Sequence, residues 1–308
     1  MSNFLIEQEN KMVRLVEERG VAAFPYKTAI QQIMNWCQTQ TKGMTPGDNK
    51  TFQVPQSLTS KIDFIELLKI DVSVTDSENG AYSSGGGNIE LTIKDRLVNG
   101  KYNEAHITIY ANSFYGQIYE RTILNSMYHE LNHCYEAWRE LTSTGTMQLF
   151  ARGTPKANAV IDCFPVSLYN DIATDICYRL YSETEFNALV AGVFGDLAGL
   201  NSTRKNFKDD LHKTQAYQKY NELKDDLIML VDYLKRNPSL VRPFVILLKG
   251  NRIVLNPYYQ NENGYIKEFN RKTQFLLKQL LRKIGSAASL YYDSKEVPED
   301  NVKLTLRN

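Results

Sequence analysis

The stretch Tyr128-His129-Glu130-Leu131-Asn132-His133-Cys134 constrains this chain more than any other. It reads H-E-x-x-H. On a helix, residues four apart share a face, so His129 and His133 point the same way and can bind one zinc ion. Glu130, beside the first His, is placed to act as a general base toward a water at that ion. The chain holds only four His, so the pattern is scarce by composition. The competing reading is a helix that carries two surface His and a Glu. Apolar residues at Leu124, Met127, Leu131, Cys134, Tyr135 and Trp138 keep helical spacing, which predicts a helix from about Gln117 to Leu141. His129 and His133 then lie beside its apolar stripe. Adjacent helix positions diverge by about 100°, so Cys134 is expected to face the core.

A third ligand is needed for a catalytic zinc site. A later His three residues beyond a Gly is excluded, because positions 136 and 139 hold Glu136 and Arg139. His106 and His212 are scattered elsewhere and read as ordinary histidines. The stretch Ser182-Glu183-Thr184-Glu185-Phe186-Asn187-Ala188 opens a further helix, and a carboxylate there is the better candidate. Ser182 and Glu185 also form a capping box, which is the plain reading of that Glu.

H-E-x-x-H followed on a later helix by Glu185, Asn187 and Ala191 resembles the gluzincin branch of zincin-type zinc metallopeptidases, and is most similar to small bacterial and phage-encoded members. The resemblance covers Tyr128–Trp138 and Glu183–Ala191 closely, and about Leu67–Leu200 loosely. It implies His129, His133 and Glu185 as zinc ligands; on the sequence alone, Glu183 is the alternative third ligand. It also implies Glu130 as the general base and a peptide or protein substrate. Transition-state stabilisation needs one more donor near the ion, and Tyr178, Tyr181 and His212 are the candidates.

The expected fold is α+β, a mostly helical zincin-like core with a small antiparallel sheet and a helical C-terminal region. The chain divides into residues 1–56 (a helical arm, a helix over Ala29–Thr39 and a linker over Thr41–Gln56), 57–200 (the metal-binding core) and 201–308. Ile65 to Val74, Ile89 to Ile93 and Ala105 to Ala111 read as strands, with turns at Asn79-Gly80, Gly85-Gly86-Gly87 and Asn99-Gly100. Ala105–Asn112, just before the His-bearing helix, is the candidate strand for pairing with an extended substrate. Residues Thr142 to Ala159 read as a loop, and Pro165 to Tyr181 as a helix. Phe207 to Arg236 reads as one long amphipathic helix, Phe244–Leu248 and Ile253–Leu255 as a hairpin about Gly250-Asn251, and Tyr265 to Tyr291 as a second long helix. The latter carries a basic stripe of Lys267, Arg271, Lys272, Lys278, Arg282 and Lys283.

A formal net charge of +1 gives no global attraction to nucleic acid or to an anionic membrane. Residues Met1 to Gly20 carry seven of the chain's charges and no apolar h-region, so no secretory leader is expected. No segment approaches the roughly 18 apolar residues of a membrane span. Cys37, Cys134, Cys163 and Cys177 form no C-x-x-C pair and read as free thiols of a reducing compartment, which points to the cytoplasm. A second reading has a different class. The long Tyr- and Lys-bearing C-terminal helices suit assembly of a homo-oligomer, as in a phage virion or tail-connector subunit that keeps the zincin fold with little or no peptidase activity.

Overall fold

A computed structural model describes residues 26–45, 47–75, 87–90, 97, 100–112, 120–145 and 161–296. The N-terminal arm, the turns at Asn79-Gly80 and Gly85-Gly86, Asn99, and most of the loop after Thr142 lie outside the described residues. In order, the chain forms α1 (Lys27–Thr41), β1 (Asn49–Gln53), the short α2 (Gln56–Thr59), β2 (Ile65–Thr75), β3 (Gly87–Glu90), β4 (Tyr102–Asn112) and α3 (Glu120–Thr144). Then come α4 (Ser167–Ile176), a π-helical turn (Cys177–Tyr181), α5 (Glu183–Gly199), α6 (Phe207–His212), α7 (Gln215–Arg236), α8 (Val241–Gly250) and α9 (Glu262–Glu296). The class is α+β and mostly helical, as the periodicities imply. No helix among the described residues is long and apolar enough to cross a membrane.

The sheet is mixed, which corrects the antiparallel expectation. Its order is β1-β2-β4-β3, and the long central pair, β2 with β4, is parallel, with Ile70 opposite Ile107. A parallel pair needs a long connection, and residues 76–101 supply one. β1 and β3 add antiparallel strands at the two margins. The expected linker 41–56 therefore contains a strand. β4 is bordered on both sides over His106–Ile109, so it cannot take the substrate-pairing role there; the margin beside α3 belongs to β3. Leu68, Ile70, Val72, Ala105 and Ile107 are buried on one face of the sheet. The opposite face carries Lys69, Asp71, Glu104 and His106; Lys69 pairs with Glu104, and His106 contacts Asp71 and Glu104.

The helical part also departs from expectation twice. The Phe207–Arg236 helix is interrupted at Lys213-Thr214, where Thr214 caps α7 by accepting the Tyr217 N–H at 3.3 Å. Losing that cap in Thr214→Ala is expected to cost about 1 kcal/mol, read as a lower urea midpoint. The expected hairpin at Gly250-Asn251 is instead the end of α8. Val241, Phe244 and Leu248 are buried at helical spacing, Pro243 sits in the first turn where it is tolerated, and the chain leaves through Arg252 at φ 64°.

One contact fixes the centre of the molecule. On α3, Asn125, His129 and His133 share a face; on α5, Glu185, Ala188, Gly192 and Gly195 share the facing one. The small residues allow close approach. A Cβ on Gly195 would fall 2.3 Å from the Leu124 carbonyl carbon, and one on Gly192 would fall 2.5 Å from Asn125 Nδ2. Asn125 Nδ2 donates to the Gly192 carbonyl and to Asp196 Oδ2, each at 2.9 Å. α5 is buried on nearly every side, enclosed by α3, α7 and α9.

Candidate metal centre

The crossing of α3 and α5 brings His129, His133 and Glu185 together. The two Nε2 atoms are 3.3 Å apart. Glu185 Oε1 lies 3.4 Å from His133 Nε2, and Oε2 lies 3.7 Å from His129 Nε2. Ligand atoms held about 2.0–2.1 Å from a tetrahedral ion would be about 3.3–3.4 Å from one another. The three side chains therefore fit a metal ion with nitrogen and oxygen ligands. The side chains of His129, His133 and Glu185 are only 17%, 14% and 9% exposed.

Local structure explains how Glu185 arrives there. Ser182 caps α5 by accepting the Glu185 N–H at 3.4 Å, so half of the capping box is present. The Glu185 carboxylate does not fold back onto the cap; it turns to the imidazoles. Glu183, two residues earlier, is exposed. Burial alone would raise the Glu185 pKa. The His133 hydrogen bond and charge, the Tyr178 hydroxyl and His129 outweigh it and pull the value down to about 2. Burial, then the His133 charge, pushes His129 down to about 3, so this ring is neutral and ready to ligate. Burial also works against a charged His133, but the Glu185 carboxylate prevails and its pKa is raised.

Two residues from the π-helical turn complete the surroundings. Arg179 Nη1 donates to Glu185 Oε2 at 3.0 Å, and Arg179 stacks over Tyr178 with 4.9 Å to the ring centroid. Burial, and then the neighbouring Glu185 carboxylate, raise the Tyr178 pKa. Wide turns of this kind recur where a helix presents functional groups. Glu130 is half-buried on α3, and its charge is felt by His133 and Tyr178.

Of the other sequence candidates, Tyr181 points away and meets Thr273 of α9 at 2.9 Å. His212 stacks on Tyr217, with ring centroids 4.5 Å apart. His106 is held by Asp71 and Glu104 on the outer sheet face. Cys134 is buried in the core, as its helical position implied. Arg179 escaped sequence reasoning, and only its nearness to Glu185 along the chain could have pointed to it. Nothing in the sequence marks Glu136 and Lys283 as partners, yet they meet around Asn187. Comparison of the chain with protein-family models, with curated proteins and with solved structures finds no match.

Proposed function

We propose that this protein is a zinc-dependent metallopeptidase that hydrolyses peptide bonds. The observation that carries the reading is the convergence of the His129, His133 and Glu185 side chains, whose nitrogen and oxygen atoms lie 3.3–3.7 Å from one another, with Glu130 beside them on α3. Zinc suits two imidazoles and one carboxylate, and when bound it would polarise a water and a substrate carbonyl. Glu130 takes the proton from the attacking water and passes it to the leaving amine. Tyr178 and Arg179, donors at the rim of the site, are suited to the developing negative charge on the carbonyl oxygen. An extended substrate can add to the edge of β3, which pairs with no further strand among the described residues, and main-chain hydrogen bonds there would align it with α3.

The test combines elemental analysis with cleavage of a mixed peptide library. Wild type is expected to bind one zinc per chain and to cleave. Glu130→Gln is expected to keep the zinc and lose about a hundredfold or more in rate. A zinc-loaded wild type that cleaves no peptide would favour the scaffold reading instead. Equal cleavage by Glu130→Gln would remove Glu130 from the mechanism.

A further inference from the structure

Lys283 belongs by sequence to a basic stripe, yet it does not behave as a solvated side chain. Its ammonium donates to Asn187 Oδ1 at 2.9 Å. It also lies 5.5 Å from the Phe186 ring centroid. Asn187, 4% exposed, passes the connection on, donating from Nδ2 to Glu136 Oε1 at 2.8 Å. The three residues come from α9, α5 and α3. Asn187 follows Glu185 by two residues, and Glu136 follows His133 by three, about one helical turn. The chain of hydrogen bonds therefore ties together the two ligand-bearing helices within two or three residues of the ligands, from a third helix that supplies no ligand. Half-burying an ammonium and a carboxylate has a desolvation cost that a solvated stripe avoids. An amide side chain suits the junction, because it accepts from Lys283 and donates to Glu136 at once.

We propose that Lys283, Asn187 and Glu136 are positioning residues of the metal centre, through which α9 sets the spacing of His133 against Glu185. The proposal rests on the reading of His129, His133 and Glu185 as a metal site. Two other hydrogen bonds tie α9 to the same region: Tyr181 Oη with Thr273 Oγ1 at 2.9 Å, and Tyr291 Oη to the Leu197 carbonyl at 3.0 Å. Neither reaches α3. They hold α9 in place without joining the ligand helices, and so separate docking from positioning.

The experiment loads the full chain with Co2+ and measures its dissociation constant by chelator competition and its visible d–d absorption, with circular dichroism reporting folding. Lys283→Met and Asn187→Leu are expected to weaken Co2+ binding tenfold or more, on the order of the losses seen for groups behind metal ligands, and to shift the absorption bands. Lys283→Arg, which keeps a cation on Asn187, is expected to restore both toward wild type. Thr273→Val is expected to lower thermal stability yet keep the wild-type spectrum. Should Lys283→Met fail to fold, Lys283→Gln takes its place, with a weakened affinity expected. Wild-type binding and spectrum in the Lys283 and Asn187 variants would overturn the proposal, as would an equal spectral change in Thr273→Val. If wild type itself takes up neither Co2+ nor Zn2+, the metal-site reading falls, and the proposal with it; the wild-type result alone tells the two failures apart.

Discussion

Glu185→Ala is expected to lower zinc affinity about a thousandfold, the share of one ligand in a binding free energy of about 10–16 kcal/mol. The loss exceeds that of a spectator carboxylate for two reasons. Glu185 is the one anionic group of the three, and its removal leaves the Arg179 guanidinium facing the two imidazoles with no carboxylate between. A cation so placed repels an incoming ion. Glu183→Ala is the matched control, since Glu183 is exposed on the same helix, and it is expected to bind zinc as wild type does. Chelator competition distinguishes them. The reverse outcome, with zinc lost in Glu183→Ala and kept in Glu185→Ala, would reassign the third ligand. In wild type, affinity is expected to rise with pH through the raised pKa of His133 and to level above it. Below that pKa, an ion must displace a proton from the ring, and above it the ring is already neutral.

Gly195→Val is expected to destabilise the protein by about 3 kcal/mol or more, at the upper end of overpacking penalties. The obstacle is backbone: the added Cβ would lie 2.3 Å from the Leu124 carbonyl carbon and 2.4 Å from the Asn125 nitrogen. Neither can rotate away, so α3 and α5 must separate. Separation also moves His129 and His133 from Glu185, and zinc binding should fall along with the urea midpoint. Gly285 on α9 gives the contrast. A Cβ there meets nothing within 4 Å, so Gly285→Ala is expected to be neutral or to stabilise by about 0.5–1 kcal/mol. If Gly195→Val and Gly285→Ala behave alike, the close crossing is not what holds the helices together.

What could be read in advance was whatever depends on local period and spacing. The α3 face was readable because Leu124, Met127 and Leu131 repeat every three or four residues, and the same count put Cys134 inward. What could not be read depends on partners far along the chain. Strand alternation in Ile65–Thr75 says which residues are buried but not the direction of the neighbouring strand, so the parallel pairing of β2 with β4 was missed. The turn signal Gly250-Asn251 outweighed the equally present helical spacing of Val241, Phe244 and Leu248. The break before α7 carries neither Gly nor Pro, only the hydroxyl of Thr214. At the site, Glu185 stood out because it opens a helix rich in small residues. Glu136 and Lys283 did not, since each looks like a surface charge until α3, α5 and α9 are brought together.

The long separation between the pieces of this centre has a consequence in time. Lys283 lies 96 residues beyond Asn187, and Thr273 lies 92 beyond Tyr181. At a synthesis rate of about 5–20 residues per second, both imidazoles and Glu185 leave the ribosome roughly 5–20 s before α9 exists to pack against them. Contacts so distant in sequence are also slow to form once the chain is free. During that interval the ligands are present but their scaffold is loose. Docking of α9 would then be a late step of folding, and the order of synthesis would delay a settled arrangement of His129, His133 and Glu185 until the long helix is in place.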